Sequence, residues 1–205
     1  MMHRFGYQQN DGVMKNAHYN IRISFLLGLL FFAFGASAQS NYTLAAKPNL
    51  KVSGTSTLHD WDMVSEQASG EAQFVVEGNA LKEIKKLRME MPAESIKSGK
   101  GGMDKNAYSA LETKKHKMVI FELENLVKGE GNSWTAEGTF TIAGVKKPAT
   151  FPVTARNEGN GYRFEGSHIF KLTDFNVDPP TALFGTIKTG DEMSIHFNVV
   201  FNPIK

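Results

Sequence analysis

Alternation of apolar and polar residues with a period of two is the feature that most restricts what this 205-residue chain can fold into. Residues 134–142 alternate Trp, Ala, Gly, Phe and Ile with Thr, Glu, Thr and Thr, and residues 162–172 and 193–201 show similar patterns. A short Gly-containing break precedes each run. Because successive side chains of a strand point to opposite faces, each run is predicted to be a strand with one buried and one wet face.

Five further segments are predicted strands with a weaker pattern: residues 50–58, 70–77, 81–91, 117–126 and 150–155. The chain then contains about eight strands with short connections and without regular alternation of strands and helices, which predicts an antiparallel all-β fold. An eight-stranded barrel is just wide enough to be filled by side chains or to hold one small ligand. The predicted fold is therefore an antiparallel eight-stranded barrel of the lipocalin type with one short helix.

That helix is predicted over residues 103–115. Met103, Ala107, Ala110 and Leu111 fall on one apolar stripe at helical spacing, and Asp104 is placed to cap its start. Residues 98–102 (SGKGG) precede it, and glycine-rich backbone is easily bent and entropically unfavourable to order. We predict a lid over one barrel mouth, with Met103, Ala107 and Leu111 facing the ligand. The alternative is a plug helix that never opens.

The first 38 residues have the pattern of a secretory signal peptide. Basic Lys15 and Arg22 precede the apolar run at residues 23–34, and the sequence Ala-Ser-Ala follows at residues 36–38. A membrane anchor is disfavoured because spanning takes roughly 20 apolar residues. We predict cleavage near Ala38, a start at Met14 rather than Met1, and one barrel domain over residues 39–205. The predicted location is periplasmic or secreted, in a bacterium, with no membrane span in the mature form.

Charge and cysteine content exclude several classes of function. The leader holds three basic residues and one acidic, so residues 39–205 carry 20 of each, which disfavours a nucleic-acid partner. The absence of Cys rules out disulfides and thiolate zinc sites. The sequence contains no recognisable catalytic, nucleotide-binding or metal-binding motif, so no cofactor, metal or enzymatic activity is predicted.

Four segments, at residues 53–61, 93–121, 138–153 and 170–176, resemble in order the motifs of the YceI-like family, lipocalin-like periplasmic proteins that bind polyisoprenoids. The resemblance implies an elongated barrel whose apolar interior holds an isoprenoid or acyl chain, without catalysis. Some members of that family dimerise, so it also leaves a homodimer open. Two positions depart from the pattern: Leu172 replaces an Arg and Asn176 replaces a Gly. Losing the Arg removes a partner for a pyrophosphate, whereas Asn tolerates the left-handed turn.

The barrel interior is the predicted binding site, because its inward positions are rich in aromatic residues. Burying a chain there would stabilise the complex by about 0.8 kcal/mol per methylene. His168 shares the inward face and is either a satisfied core residue or a contact for the polar end of a ligand. The predicted lining residues are Phe74, Phe121, Phe140, Tyr162, Phe164, His168, Phe170, Ile195 and Phe197.

Two other functions are considered. Large side chains could fill the barrel, which would make the protein a structural or interaction module of the cell envelope. A hydrolase using His59 with Asp60 or Asp62 is disfavoured, because adjacent residues of a strand point to opposite faces and a second cluster of ligands is lacking. Finally, the basic run at residues 114–117 is either a solvated face or a headgroup contact at the mouth.

Overall fold

The computed structural model describes residues 1–3, 6 and 38–204 of the chain. The predicted signal sequence lies outside the described residues, apart from residues 1–3, residue 6 and Ala38, and its cleavage stays a prediction. Eleven strands are found: β1 (Ala38–Leu44), β2 (Asn49–Ser56), β3 (Trp61–Ser65), β4 (Ser69–Glu77), β5 (Ala80–Pro92), β6 (Met118–Lys128), β7 (Ser133–Ile142), β8 (Val145–Glu158), β9 (Gly161–Lys171), β10 (Thr181–Ala182) and β11 (Ile187–Pro203).

The strands close into an antiparallel barrel of eight staves. A stave is here one strand, or two consecutive strands that follow each other along the barrel wall. The first stave consists of β1 and β2, and the second, antiparallel to it, consists of β3 and β4. Strand β2 pairs with β3, and β1 pairs with β4. Strands β5 to β9 and β11 continue the meander. The barrel closes because β11 pairs with β1 at one end and with β2 at the other. The predicted antiparallel eight-stranded barrel with one helix is confirmed.

Each predicted strand overlaps an observed one, but the two-residue β10 and the longer strands β1 and β3 were missed. Strand β1 contributes only Tyr42 and Leu44 as clear apolar positions next to the predicted cleavage site. Strand β3 has five residues, too few for a period-two pattern to stand out. Both strands are held by pairing with neighbours that lie far along the chain or across a turn, which a local pattern does not reveal.

One α-helix, α1, is found in the described residues and spans Gly101–Ala110, so it starts two residues earlier and ends five residues earlier than predicted. It ends because Glu112 takes a left-handed backbone conformation (φ 49°) that turns the chain toward β6. Two short 3-10 helices, Ala93–Ser95 and Leu172–Phe175, flank the mouth-side connections. Asn176 ends the second one with φ 55°, as expected where Asn replaces the family's Gly. Among the described residues, no helix is long and apolar enough to cross a membrane.

Because neighbouring strands are antiparallel, the connections between them alternate between the two ends of the barrel. The mouth end carries the β2–β3 turn, the β5–β6 connection that contains α1, the β7–β8 turn and the connection from β9 to β11. The closed end carries the β4–β5, β6–β7 and β8–β9 turns. Near the mouth the ladder between β8 and β9 stops at the pair Val153–Gly166. Pro148 and Pro152 lie in the part of β8 that does not pair with β9, where a strand tolerates residues without an N–H donor.

An aromatic cluster fills the closed end. Phe74 is fully buried, and its ring stacks on Tyr42 with the ring centroids 4.2 Å apart. The same ring contacts Phe164 at 5.7 Å and Phe201 at 5.9 Å, and Tyr162 at 5.7 Å. The Tyr162 hydroxyl donates a hydrogen bond of 3.1 Å to the Asn79 carbonyl in the closing turn. Side chains therefore plug this end of the barrel.

Candidate ligand-binding cavity

A cavity of about 210 Å³ lies inside the barrel between the aromatic plug and the mouth. Its wall is formed by inward side chains of β2, β3, β5 to β9 and β11, and α1 covers one side. Lys51 and Glu90 are the charged residues along it among those described. Their side chains pair with Asp62 and Arg88, at 3.5 and 3.2 Å, and are partly exposed to solvent. The surface offered to a ligand is therefore almost wholly apolar.

Most of the residues predicted as the binding site line this cavity. Phe164 lies at its floor, where it also contacts the plug. Aromatic rings meet in pairs along the wall, with Phe121 and Phe140 4.7 Å apart. The predicted residues found in the lining are Phe121, Phe140, Phe164, Phe170, Ile195, Phe197, Ala107 and Leu111.

Four predicted residues lie outside the cavity lining: Phe74, Met103, Tyr162 and His168. Phe74 and Tyr162 belong to the plug, because β4 and the start of β9 meet at the closed end rather than along the cavity. Met103 packs beside Met63, Met91 and Ile96, a small cluster under α1. Phe74 and Tyr162 thus form the base on which the cavity floor rests, and Met103 helps to anchor the helix.

Sequence reasoning missed one side of the cavity, formed by β2, β3 and β5. Val52, Trp61 and Met63 come from the first two strands, and Leu87, Met89 and Met91 come from β5. The alternation at residues 87, 89 and 91 was a usable signal within a predicted strand. Trp61 and Met63 could not be placed without β3, whose pairing with β2 brings them inside.

His168 lies among aromatic rings on the inward face of β9. Its ring is nearly parallel to those of Phe140 and Phe170, with interplanar angles of 8° and 11°, and its centroid is 5.3 Å from that of Phe151. Burial lowers the pKa of His168 below its ordinary value, so the ring is neutral at pH 7. No hydrogen bond joins the ring to another described residue. Every fully buried polar side-chain atom of the described residues has a hydrogen-bond partner, so the unpartnered nitrogens of His168 are not fully buried.

Polar contacts hold α1 and its preceding loop over the mouth. The Tyr108 hydroxyl lies 2.8 Å from the carbonyl oxygens of both Glu94 and Ile96. The Asp104 carboxylate accepts hydrogen bonds from the Ser98 amide and hydroxyl, at 2.8 and 2.6 Å, and these bonds lower its pKa. Asp104 thus ties down the glycine-rich loop from within the first turn of α1, rather than acting as the predicted N-cap, which is Lys100.

The region of His59 has the geometry of a turn. Nδ1 of His59 lies 2.7 Å from the Asp60 carbonyl oxygen, and the Ser56 hydroxyl donates to the His59 carbonyl at 2.8 Å. The Asp62 carboxylate accepts a hydrogen bond of 2.6 Å from Ser53, which together with Lys51 lowers its pKa. Within the described residues, no three His, Asp or Glu side chains are grouped closely enough to hold a metal ion.

Comparison with known proteins gives a family match over most of the chain. Residues 37–201 match the family model described as the YceI-like domain. A UPF0312 protein of Pseudomonas paraeruginosa is 33% identical over 100 residues, and one of Serratia proteamaculans is 32% identical over 100 residues. These alignments cover 45% of this chain and 52% of each relative, so the chain spans about half the length of the curated relatives it matches.

Solved structures share the fold at low sequence identity. BcnA of Burkholderia cenocepacia is 19% identical with a TM-score of 0.64, over 75% of this chain and 96% of BcnA. A polyisoprenoid-binding domain from Saccharophagus degradans is 11% identical with a TM-score of 0.60, over 80% and 98% of the two chains. The YCEI protein of Campylobacter jejuni is 19% identical with a TM-score of 0.56, over 69% and 83%. At such identities the likeness concerns the fold.

Proposed function

Because the chain belongs to the YceI-like family, whose model matches residues 37–201, we propose that it is a non-enzymatic carrier of a long apolar chain, isoprenoid or fatty acyl. The observation that carries this proposal is the cavity, which is plugged by aromatic rings at one end and lined by apolar side chains up to the mouth. The likeness to the polyisoprenoid-binding domain of Saccharophagus degradans supports the isoprenoid class.

The apolar wall suits a ligand that is recognised by burial rather than by polar contacts. Each buried methylene contributes about 0.8 kcal/mol, so a chain of ten or more carbons supplies binding energy without a charged partner. Phe, Met, Leu, Val and Ile side chains supply most of the wall. Methionine is flexible and adapts its shape to irregular chains, which favours binding of a lipid class over one particular molecule.

His168 supplies one polar group next to the cavity, because its ring packs on Phe140, Phe151 and Phe170, which line the cavity wall. Once a ligand displaces water from its ring, the imidazole needs a hydrogen-bond partner, because an unsatisfied buried polar group costs about 1–3 kcal/mol. The ring is neutral at pH 7, so it suits a hydroxyl or carbonyl group. Leu172 stands where the family pattern has an Arg, and a pyrophosphate therefore lacks that cationic partner here. We propose a ligand with a neutral polar group near His168.

The site of action is proposed to be the periplasm, after cleavage of residues 1–38. The basic residues, apolar run and Ala-Ser-Ala sequence of the leader support export. Strand β1 pairs with β4 and β11 through residues 39–44 as well as Ala38. A cut after Ala38 would therefore leave the barrel closure intact.

Native mass spectrometry of the full-length protein purified from cells tests the carrier function. We expect an added mass that disappears on organic extraction, and a lipid in the extract. The matched variant is Ala136→Phe, which puts a ring into the cavity from β7, and we expect it to carry little or no lipid. Circular dichroism and thermal unfolding show whether this variant folds, and Val52→Phe on the opposite wall serves if it does not. A wild-type protein that is lipid-free and takes up no added farnesol or oleate would contradict the proposal.

The filled-barrel alternative, a structural module of the envelope, is favoured by the ring contacts between neighbouring strands. Phe151 and Phe197 lie 5.8 Å apart and Phe140 and Phe151 lie 6.0 Å apart, so rings already occupy part of the interior. Under this alternative Ala136→Phe would raise stability by filling the remaining space. Under the carrier function the same substitution removes lipid, so the one variant separates the two.

A further inference from the structure

An exposed apolar tip stands at the mouth end. Strands β10 and β11 form a hairpin through the pairs Thr181–Lys188 and Ala182–Ile187, and Leu183 and Phe184 lie at its turn. Leu183 is 67% exposed and Phe184 is fully exposed. Single exposed apolar residues are common on protein surfaces, but an adjacent leucine and phenylalanine at the end of a projecting hairpin form a contact point without a partner in the fold.

The backbone conformation of this turn is unusual for a leucine and a phenylalanine. Leu183 and Phe184 have φ values of 49° and 53°, the left-handed region in which a hairpin turn favours Asn and Gly. A leucine and a phenylalanine therefore occupy positions that turn chemistry would give to small polar residues. Because strained backbone tends to be kept at functional sites, the pair points to a role outside folding.

The tip is held firmly beside the opening of the cavity. The Thr57 amide donates to the Lys188 carbonyl at 3.0 Å, and the Lys188 amide donates to the Thr57 hydroxyl at 3.1 Å. These bonds join the hairpin to the β2–β3 turn, whose Leu58 is 66% exposed. Pro180 and Thr189, at the base of the same hairpin, line the cavity. The hairpin thus leads from the cavity wall, at Pro180 and Thr189, out to the exposed apolar tip.

The rim across the mouth is basic. The β5–β6 connection, residues 93–117, carries six lysines against three acidic residues, and Lys146 and Lys147 follow the neighbouring β7–β8 turn. The half that carries the tip has exposed Asp60, Asp174 and Asp178, with Lys171 and Lys188 as nearby cations. An apolar tip and a separate lysine-rich rim are the features with which peripheral proteins bind anionic bilayers.

We propose that the mouth end docks on an anionic lipid bilayer, with Leu183 and Phe184 inserted among the acyl chains and the lysines of residues 97–117 at the headgroups. The inference rests on the proposed function, since a carrier of an apolar chain must exchange it with a membrane. Docking in this orientation places the cavity opening against the bilayer. The cargo then passes between bilayer and barrel without crossing water.

Sedimentation with vesicles tests the docking. The protein without residues 1–38, the form that the proposed cleavage leaves, is mixed with vesicles of phosphatidylcholine alone or containing about 40% phosphatidylglycerol, an anionic lipid that attracts lysine-rich surfaces. We expect binding to the anionic vesicles, weakened at least about tenfold in the double variant Leu183→Ser, Phe184→Ser, because two apolar side chains no longer insert. The matched control is Ile169→Ser, which removes a 61% exposed apolar side chain from the outer wall of β9 and should leave binding unchanged.

Three further measurements separate the outcomes. In Lys114→Gln, Lys115→Gln we expect weaker binding to the anionic vesicles, with the tip intact. Equal binding by wild type and the Leu183, Phe184 double variant overturns the proposal, as does wild-type protein that stays in the supernatant. A wild-type dimer that becomes a monomer in the double variant by light scattering would assign the tip to a second copy and also overturn it. The amount of bound lipid, measured by native mass spectrometry, should be unchanged in the double variant. A loss of membrane binding can therefore be distinguished from a loss of lipid binding in the cavity.

Discussion

The closed end and the mouth end are built from the same strands, yet one is solid and the other hollow. At the closed end the rings of Tyr42, Phe74, Tyr162 and Phe201 contact one another, and Phe74 and Phe201 are fully buried. Toward the mouth the inward residues Val52, Leu123 and Ile195 are only partly buried and face the cavity. The alternation of inward and outward residues therefore does not decide whether a barrel is filled. That depends on the size of the inward side chains that meet at the same height along the barrel axis.

The connections differ in the same way. The turns of the closed end at residues 78–79 and 159–160 are two residues long. The side-chain amide of Asn157 donates a hydrogen bond of 2.7 Å to the Asn79 carbonyl, which joins these two turns. The mouth end carries residues 93–117 and 172–186, which hold a helix and a hairpin through side-chain hydrogen bonds. We therefore expect the closed end to be the more rigid one, and the helix-bearing connection, residues 93–117, to open more readily.

The largest expected effect is a loss of stability at the closed end. Phe74→Ala removes a fully buried ring with four aromatic neighbours, and we expect the free energy of unfolding to fall by about 3–5 kcal/mol. Phe170→Ala, which removes a half-buried ring beside the cavity, should cost less than half as much because that ring already borders empty space. Guanidinium unfolding monitored by tryptophan fluorescence gives both values. Equal losses would show that the two ends are packed alike.

Hydrogen exchange compares the ends without mutation. We expect the amides of α1 to exchange at least about 100-fold faster than those of β9, because α1 is held by polar contacts and limited burial. Added farnesol should slow the exchange of α1 and leave β9 unchanged. If α1 is protected as well as β9, with or without the lipid, the helix is a fixed plug and not a lid.

A smaller effect is expected from the bond that ties down the glycine-rich loop. Asp104→Asn removes the charge that accepts hydrogen bonds from the Ser98 amide and hydroxyl, so we expect a loss of about 1–2 kcal/mol. The loss should appear as faster exchange in residues 97–104 and not at the closed end. The matched control is Asp174→Asn, an exposed carboxylate on the other side of the mouth, which should leave exchange in residues 97–104 unchanged.

The smallest expected effect is the pH dependence due to His168. Its pKa in the folded state lies below the ordinary value of 6.5, so below that pH the unfolded chain binds more protons than the folded one. The free energy of unfolding should therefore be fully maintained above pH 6.5 and fall as the pH drops from there toward the lowered pKa. His168→Phe keeps the ring stack and should flatten this slope in urea unfolding between pH 5 and 7. An unchanged slope would mean that His168 is not the group responsible.

Part of the site was predictable because burial repeats along single strands. Phe140, Phe164, Phe170 and Phe197 were identified from period-two alternation and line the cavity, and no pairing information was needed for that. Phe74 and Tyr162 obeyed the same alternation, but they lie in the plug. Alternation shows on which face of the sheet a residue lies. It does not show how far along the barrel axis that residue lies, because this depends on the register between strands.

The sequence by itself determined the antiparallel strand order, the inward aromatic face, the helix between β5 and β6 and, through family motifs at residues 138–153 and 170–176, the kind of barrel. These features depend on local periodicity and on short motifs, both of which can be recognised in consecutive residues. The tertiary structure alone decided the closure of β11 on both β1 and β2, the entry of Trp61 and Met63 into the cavity, and the position of Leu183 and Phe184 beside the mouth. Each of these depends on contacts between residues distant in the chain, whose register is set by all eight staves closing together.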